Sequence, residues 1–196
     1  MMADTCTTLP AQLHNRNYTL IYAPTQLRRV GMVPGFEQRW QQAQPQILAI
    51  SEQCHQLAPN GLTVYRGVAN PSPADSAHPF QAHHNVNVAN LQSLMETAVM
   101  PTCLALAPVL KTVFDQYFAQ KAAGQQPANG EIILVLLDHE PTDRLAIAKQ
   151  IVAASQKLDH NDELGIGWLQ VGDDYITKGF LITLDDNLRG KGAKFD

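Results

Sequence analysis

The sequence predicts an α/β fold in three layers, a mostly parallel sheet of about six strands held between helices on both faces. Three observations carry that prediction. Short apolar runs rich in β-branched and aromatic residues alternate with longer segments of helical periodicity. The runs are apolar throughout, as strands covered on both faces are. The clearest of them, Ile132 to Leu137, stops at an acid, Asp138, and Pro141, Thr142 and Asp143 announce a helix directly after it. That places a carboxylate at the carboxyl end of a parallel sheet, the edge where open α/β sheets bind ligands.

Taken in order, Tyr18–Ala23 (YTLIYA) reads as the first strand and Pro24–Gly35 as a long loop. Phe36–Leu57 has helical spacing through Trp40, Ala43, Ile47, Ile50 and Cys54, with a kink or late start expected at Pro45. Asn60-Gly61 marks a turn into a strand over Leu62–Val68, and Ala69–Ala77 is a proline-bearing loop. Pro79–Val86 is expected as a short antiparallel edge strand and Asn87–Val99 as a short helix. Thr102–Ala123 carries an apolar stripe through Leu106, Leu110, Phe114 and Tyr117. Strand Glu131–Asp138, helix Thr142–Leu158, strand Leu164–Val171 and helix Asp174–Leu188 follow, and Ala193–Asp196 is expected to open a last strand. Strands joined through helices of this length imply right-handed crossovers onto a parallel sheet.

Composition narrows the function. The 196 residues suit one domain, expected over residues 17–196 with residues 1–16 as an N-terminal arm. A net charge of −4 with no basic block argues against nucleic-acid binding. No apolar run approaches the length of a membrane span, and MMADTCTTLPAQLHNRN lacks the charged and apolar regions of a secretory signal, so a cytoplasmic location is expected. Cys6, Cys54 and Cys103 are too widely spaced for a zinc site and read as free thiols in a reducing compartment. Neither GxSxG, GxGxxG, a P-loop nor HExxH occurs, which disfavours an enzyme.

The order of elements, with GEIILVLLDHEPTDRLAIAKQIVAAS, KLDHNDELGIGWLQVGDD and KGFLITLDDNLRGKGAKFD, resembles a von Willebrand factor type A domain of the stand-alone bacterial kind. YFAQKAAGQQPANGE fits those members too, and the resemblance is strongest from Tyr117 onward. It implies a doubly wound sheet in the order 3-2-1-4-5-6 and a metal-ion-dependent adhesion site at its top. That site follows Asp-x-Ser-x-Ser after the first strand, a Thr at the start of the third helix and an Asp after the fourth strand. Mg²⁺ asks for near-octahedral oxygen ligands, which such hydroxyls, carboxylates and waters supply.

Carried over position by position, the pattern breaks. Ala23 stands where the first Asp belongs, Thr25 takes the first Ser position and Leu27 replaces the second Ser. Thr102 matches the helix-start Thr, Asp138 matches the acid, and His139 replaces the glycine common after it. No Asp lies between Asp4 and Asp75, so no shift of alignment restores the missing acid. The expectation is a degenerate site without metal. Thr25, Thr102 and Asp138 would be the ligands if Mg²⁺ were retained. Without metal a buried Asp138 needs a cation or hydrogen-bond donors, expected from Arg28, Arg29 or Thr102.

Other features read more plainly. His83 and His84 are strand neighbours that point to opposite faces and so do not chelate one ion. His139 is expected as a solvent-exposed loop residue, and Phe36, Trp40 and Tyr117 as core. His160–Glu163 is expected as a solvated turn and Asp173-Asp174 as a helix cap. Val30, Met32 and Val33 beside Arg28 and Arg29 have the composition of an interface.

The function these readings favour is a non-enzymatic protein–protein interaction module. It would bind another protein at the top of the sheet through Thr25, Arg28, Arg29, Val33, Thr102, Asp138, His139 and Glu140, and it would need no cofactor. A Mg²⁺-dependent binder is the second reading, and an enzyme using Asp138 and His139 the third. Nucleic acid and membrane are not expected partners; a second copy of the chain is an open one.

Overall fold

A computed structural model of the chain describes residues 10–25, 36–58, 60–67, 80–98, 100 and 104–195. β1 (Asn17–Ala23), β2 (Leu62–Gly67), β3 (Phe80–Val86), β4 (Glu131–Leu137) and β5 (Leu164–Gln170) form one sheet in the order β3-β2-β1-β4-β5. β1 pairs in parallel with β2 and β4, and β4 with β5, while β3 runs antiparallel along the outside of β2. Because β1, β4 and β5 are parallel, the loops after them share one edge, called here the top.

The helices are α1 (Phe36–Leu57), α2 (Val88–Glu96), α3 (Ala107–Ala122), α4 (Arg144–Ser155) and α5 (Tyr175–Asn187). Strand alternation sends side chains to two separate cores. Ile21, Ile133, Val135 and Leu137 pack with Leu110 and Phe114 of α3, Ile147 and Ile151 of α4, and Phe180 and Leu184 of α5. Tyr18, Leu20, Tyr22, Val64 and Leu136 pack on the other face with Trp40, Ile47 and Cys54 of α1 and Leu91 and Met95 of α2. These two cores make the three layers that the apolar strands require.

Local rules set several element ends. Asn87 caps α2 by accepting from the Asn90 N–H at 2.9 Å, and Asp174 caps α5 by accepting from the Thr177 N–H at 2.8 Å. Helix α1 runs unbroken through Pro45. Helix α3 starts at Ala107, later than the Thr102 expected from its stripe. The reason lies elsewhere in the chain. Asp143, on the loop after β4, accepts from the N–H groups of Leu106 (3.1 Å) and Ala107 (2.7 Å), while the Leu104 carbonyl accepts from the Thr142 N–H and hydroxyl. The segment 104–106 is thus stitched to the β4–α4 loop instead of winding into the helix.

The described residues hold five strands, not six. The strand expected to open at Ala193 is absent over residues 193–195. After α5 the chain makes a 3-10 turn, Arg189–Lys191, closed by Gly192 at φ 96°, and the Lys194 N–H then donates to Ser155 Oγ at 3.0 Å while its Nζ donates to the Leu158 carbonyl at 2.6 Å. Those bonds hold the tail against the end of α4. No helix among the described residues is long and apolar enough to cross a membrane.

Candidate functional site

At the top of the sheet, β4 ends and the next two residues turn inward. Asp138 and His139 are each 1% exposed, as is Thr25, two residues beyond β1. The parallel register that sets Ala23 against Leu137 brings these three together. Asp138 Oδ1 accepts from the Thr25 N–H (3.1 Å) and the Thr25 hydroxyl (3.2 Å). Asp138 Oδ2 accepts from the indole N–H of Trp40 at 3.1 Å. His139 Nδ1 lies 2.9 Å from Thr25 Oγ1 and 3.3 Å from Asp138 Oδ1. A threonine hydroxyl has one proton; when it donates to the carboxylate, the ring nitrogen must supply the other hydrogen. The network then runs from His139 Nδ1–H to Thr25 Oγ–H to Asp138.

A carboxylate taken out of water must be compensated by donors or by a counter-charge. Three fixed donors do that here, one of them an amide and one an indole. The residue that matters most was not singled out by the sequence reading: Trp40, assigned to the core on its helical spacing. It is buried at 4%, as core residues are, yet its polar edge serves the acid. A buried tryptophan needs an acceptor for its N–H, and that rule, with an acid expected nearby, was the available signal. The ring also packs edge-on against Tyr22, centroids 5.0 Å apart. Burial first, then the nearby Asp138 charge, pushes the Tyr22 hydroxyl up to about 12. Trp40 further lines a groove of about 320 Å³ together with Tyr22, Gln41, Gln44, Met95, Glu96 and Met100.

His139 corrects an expectation: it is buried, not solvent-exposed, because its ring is drawn onto Thr25. Glu140 is 13% exposed and pairs through Oε1 with Arg144 Nη1 at 2.6 Å, four residues on at the start of α4. Arg28, Arg29, Val33 and Thr102 lie outside the described residues, so the donors expected from Arg28, Arg29 or Thr102 do too. Among the described residues no three His, Cys, Asp or Glu side chains gather as a metal-holding group. Around the buried network the top of the sheet exposes apolar side chains. Leu145 on the first turn of α4 is 75% exposed, and Tyr175 and Ile176 on the first turn of α5 are 85% and 52% exposed.

The remaining candidates are structural. Thr63 Oγ1 reaches His84 Nδ1 at 3.3 Å, and His83 is half-buried. Glu163 in the turn before β5 accepts from the Asp159 and His160 N–H groups and from Lys121 at 2.6 Å, so that turn is built around a carboxylate. The buried Cys54 thiol is free, and burial pushes it up to about 11. No model of a known protein family matches this chain, and no curated protein matches its sequence.

Proposed function

We propose that this chain is a non-enzymatic protein-interaction module of von Willebrand A type whose docking surface is the top of the sheet and whose metal site has been replaced by hydrogen bonds. The observation that carries the reading is the state of Asp138: both its oxygens accept from donors fixed by the fold, Thr25 and Trp40. A carboxylate offers roughly four acceptor sites, and three donors fill most of them. A cation at this position would have to displace the indole or the threonine. The buried trio Thr25, Asp138 and His139 then works as a clasp joining the loops after β1 and β4, not as a contact surface. Contacts with a partner fall to the exposed apolar side chains around it, Leu145, Tyr175 and Ile176.

The test uses surface variants. Leu145→Glu and Tyr175→Glu place a charge on the top, and Gln125→Glu places one on an exposed loop at the opposite end of the sheet. Wild type and Gln125→Glu should retain a stoichiometric protein partner that both top variants lose, with unchanged melting temperatures in all four. Retention by both top variants would refute the docking surface.

A further inference from the structure

Two Asn-Gly pairs lie at the bottom of the sheet, Asn60-Gly61 before β2 and Asn129-Gly130 before β4. An asparagine followed by glycine carries an intrinsic reaction. The glycine nitrogen can close a five-membered ring on the asparagine side-chain carbon, because no Cβ obstructs the approach and the backbone bends freely. A folded chain permits this only where both peptide units can open locally. The fold holds the two pairs very differently.

Asn129-Gly130 is locked. The Asn129 N–H donates to the Asn15 carbonyl at 3.1 Å, and its side-chain amide donates to the His14 carbonyl at 2.7 Å. The Gly130 N–H, which holds the attacking nitrogen, donates to the Pro127 carbonyl at 3.0 Å, and the Gly130 carbonyl accepts from the Asn17 N–H at 2.9 Å. Gly130 is buried, and a Cβ there would collide with the Glu163 carbonyl, so its backbone has no room to swing. At Asn60 the restraints are few. Its side chain is exposed and makes one hydrogen bond among the described residues, to Asn17 Oδ1 at 3.2 Å. The Gly61 N–H reaches the Ala58 carbonyl at 3.3 Å, beyond the usual range of such bonds.

We propose that Asn60 is a self-modification site of the folded protein. The Gly61 nitrogen, giving up its proton, bonds to Asn60 Cγ. The Cγ–Nδ2 bond breaks, and ammonia leaves with that proton. Water then opens the cyclic imide to aspartate or isoaspartate, so an amide is exchanged for a carboxylate and the chain becomes one charge more negative. The product changes its surroundings. Asn17 accepts from Asn60 through Oδ1 and donates through Nδ2 to Gln120 Oε1 at 3.1 Å. A carboxylate in place of the Asn60 amide has no hydrogen to donate. Asn17 can turn its own amide toward the new acid only by giving up Gln120. Either the link from the turn to β1 or the link from β1 to α3 is lost. Isoaspartate also adds a carbon to the main chain beside Gly61, which lies against Asn85 of β3.

The test is incubation of the full chain at mildly alkaline pH and body temperature for several days, followed by peptide mass mapping. The peptide holding Asn60 should gain the mass of an amide turned to acid about tenfold faster than the peptide holding Asn129. In urea, where neither pair is held, the two should convert at similar rates. Asn60→Gln, whose longer side chain would have to close a six-membered ring, should stay unmodified while Asn129 keeps its slow rate. Asn60→Asp carries the direct product, and its NMR spectrum should show the side-chain amide signals of Asn17 or Gln120 displaced; unmoved signals would refute the change at Asn17. Equal rates at the two asparagines of the folded protein, a faster rate at Asn129, or conversion of Asn60 in urea alone would overturn the proposal.

Discussion

The indole N–H of Trp40 donates to Asp138 Oδ2 across 3.1 Å, joining α1 to the end of β4 over 98 residues of sequence. This bond ties the second core to the loop edge where the fold offers a ligand site, and it stands where a counter-charge would otherwise be needed. Trp40→Phe keeps most of the packing and deletes the donor. It should cost about 1–3 kcal/mol in urea unfolding, the penalty of a buried acceptor left short. In an Asp138→Ala background the same change should cost clearly less. Equal costs in both backgrounds would show that the ring acts through packing alone.

Glu131 supplies a pH dependence. It is 5% exposed at the start of β4, and burial pushes its carboxyl up to about 7 despite the hydrogen bond from the Thr19 hydroxyl at 2.6 Å. The folded state therefore holds this proton more tightly than the unfolded chain, whose value is near 4.5. Its contribution to stability is fully present below about pH 4.5 and lost as pH rises through 7, a loss of about 3 kcal/mol at pH 8 by linkage. Glu131→Gln should accordingly raise stability at pH 8 and change it little at pH 5. Urea unfolding at both values measures this, and a gain equal at both would contradict it.

Asp143 acts as a cap in trans. Its carboxylate takes the N–H groups of Leu106 and Ala107 at the start of α3, although it sits at the entrance to α4. Asp143→Ala should lower stability by about 1–2 kcal/mol, as loss of a helix cap does. The site of the loss distinguishes this from a cap on α4: amide exchange should accelerate at Leu106 and Ala107, not at Ala146 and Ile147.

How much of this was legible in the sequence divides along physical lines. Apolar runs fixed by burial on both faces marked β1, β2, β4 and β5 within a residue or two, and cap chemistry marked Asp174. The later start of α3 was not visible, because Asp143, 36 residues downstream of Ala107, decides it. The missing sixth strand was not visible either: Ser155 and Leu158, distant in sequence, hold the tail. At the site, Asp138 was legible from its place after β4, and Thr25 only through the resemblance, which sets it at the first Ser position. Trp40 was hidden because helical spacing speaks for the apolar face of a side chain and says nothing of its N–H. His139 was misjudged because a loop position suggests exposure, whereas its ring is buried on Thr25.

The central claim is that Asp138 is satisfied without metal, and a thermal melt of the purified protein tests it most directly. The protein is first stripped with EDTA and then given millimolar Mg²⁺, Mn²⁺ or Ca²⁺. A cation at 100 times its dissociation constant would add about 2.7 kcal/mol, a shift of several degrees. The account predicts no shift with any of the three. A clear shift that disappears in Asp138→Ala would contradict it and would mean that Thr25 and Asp138 hold a metal once Trp40 gives way.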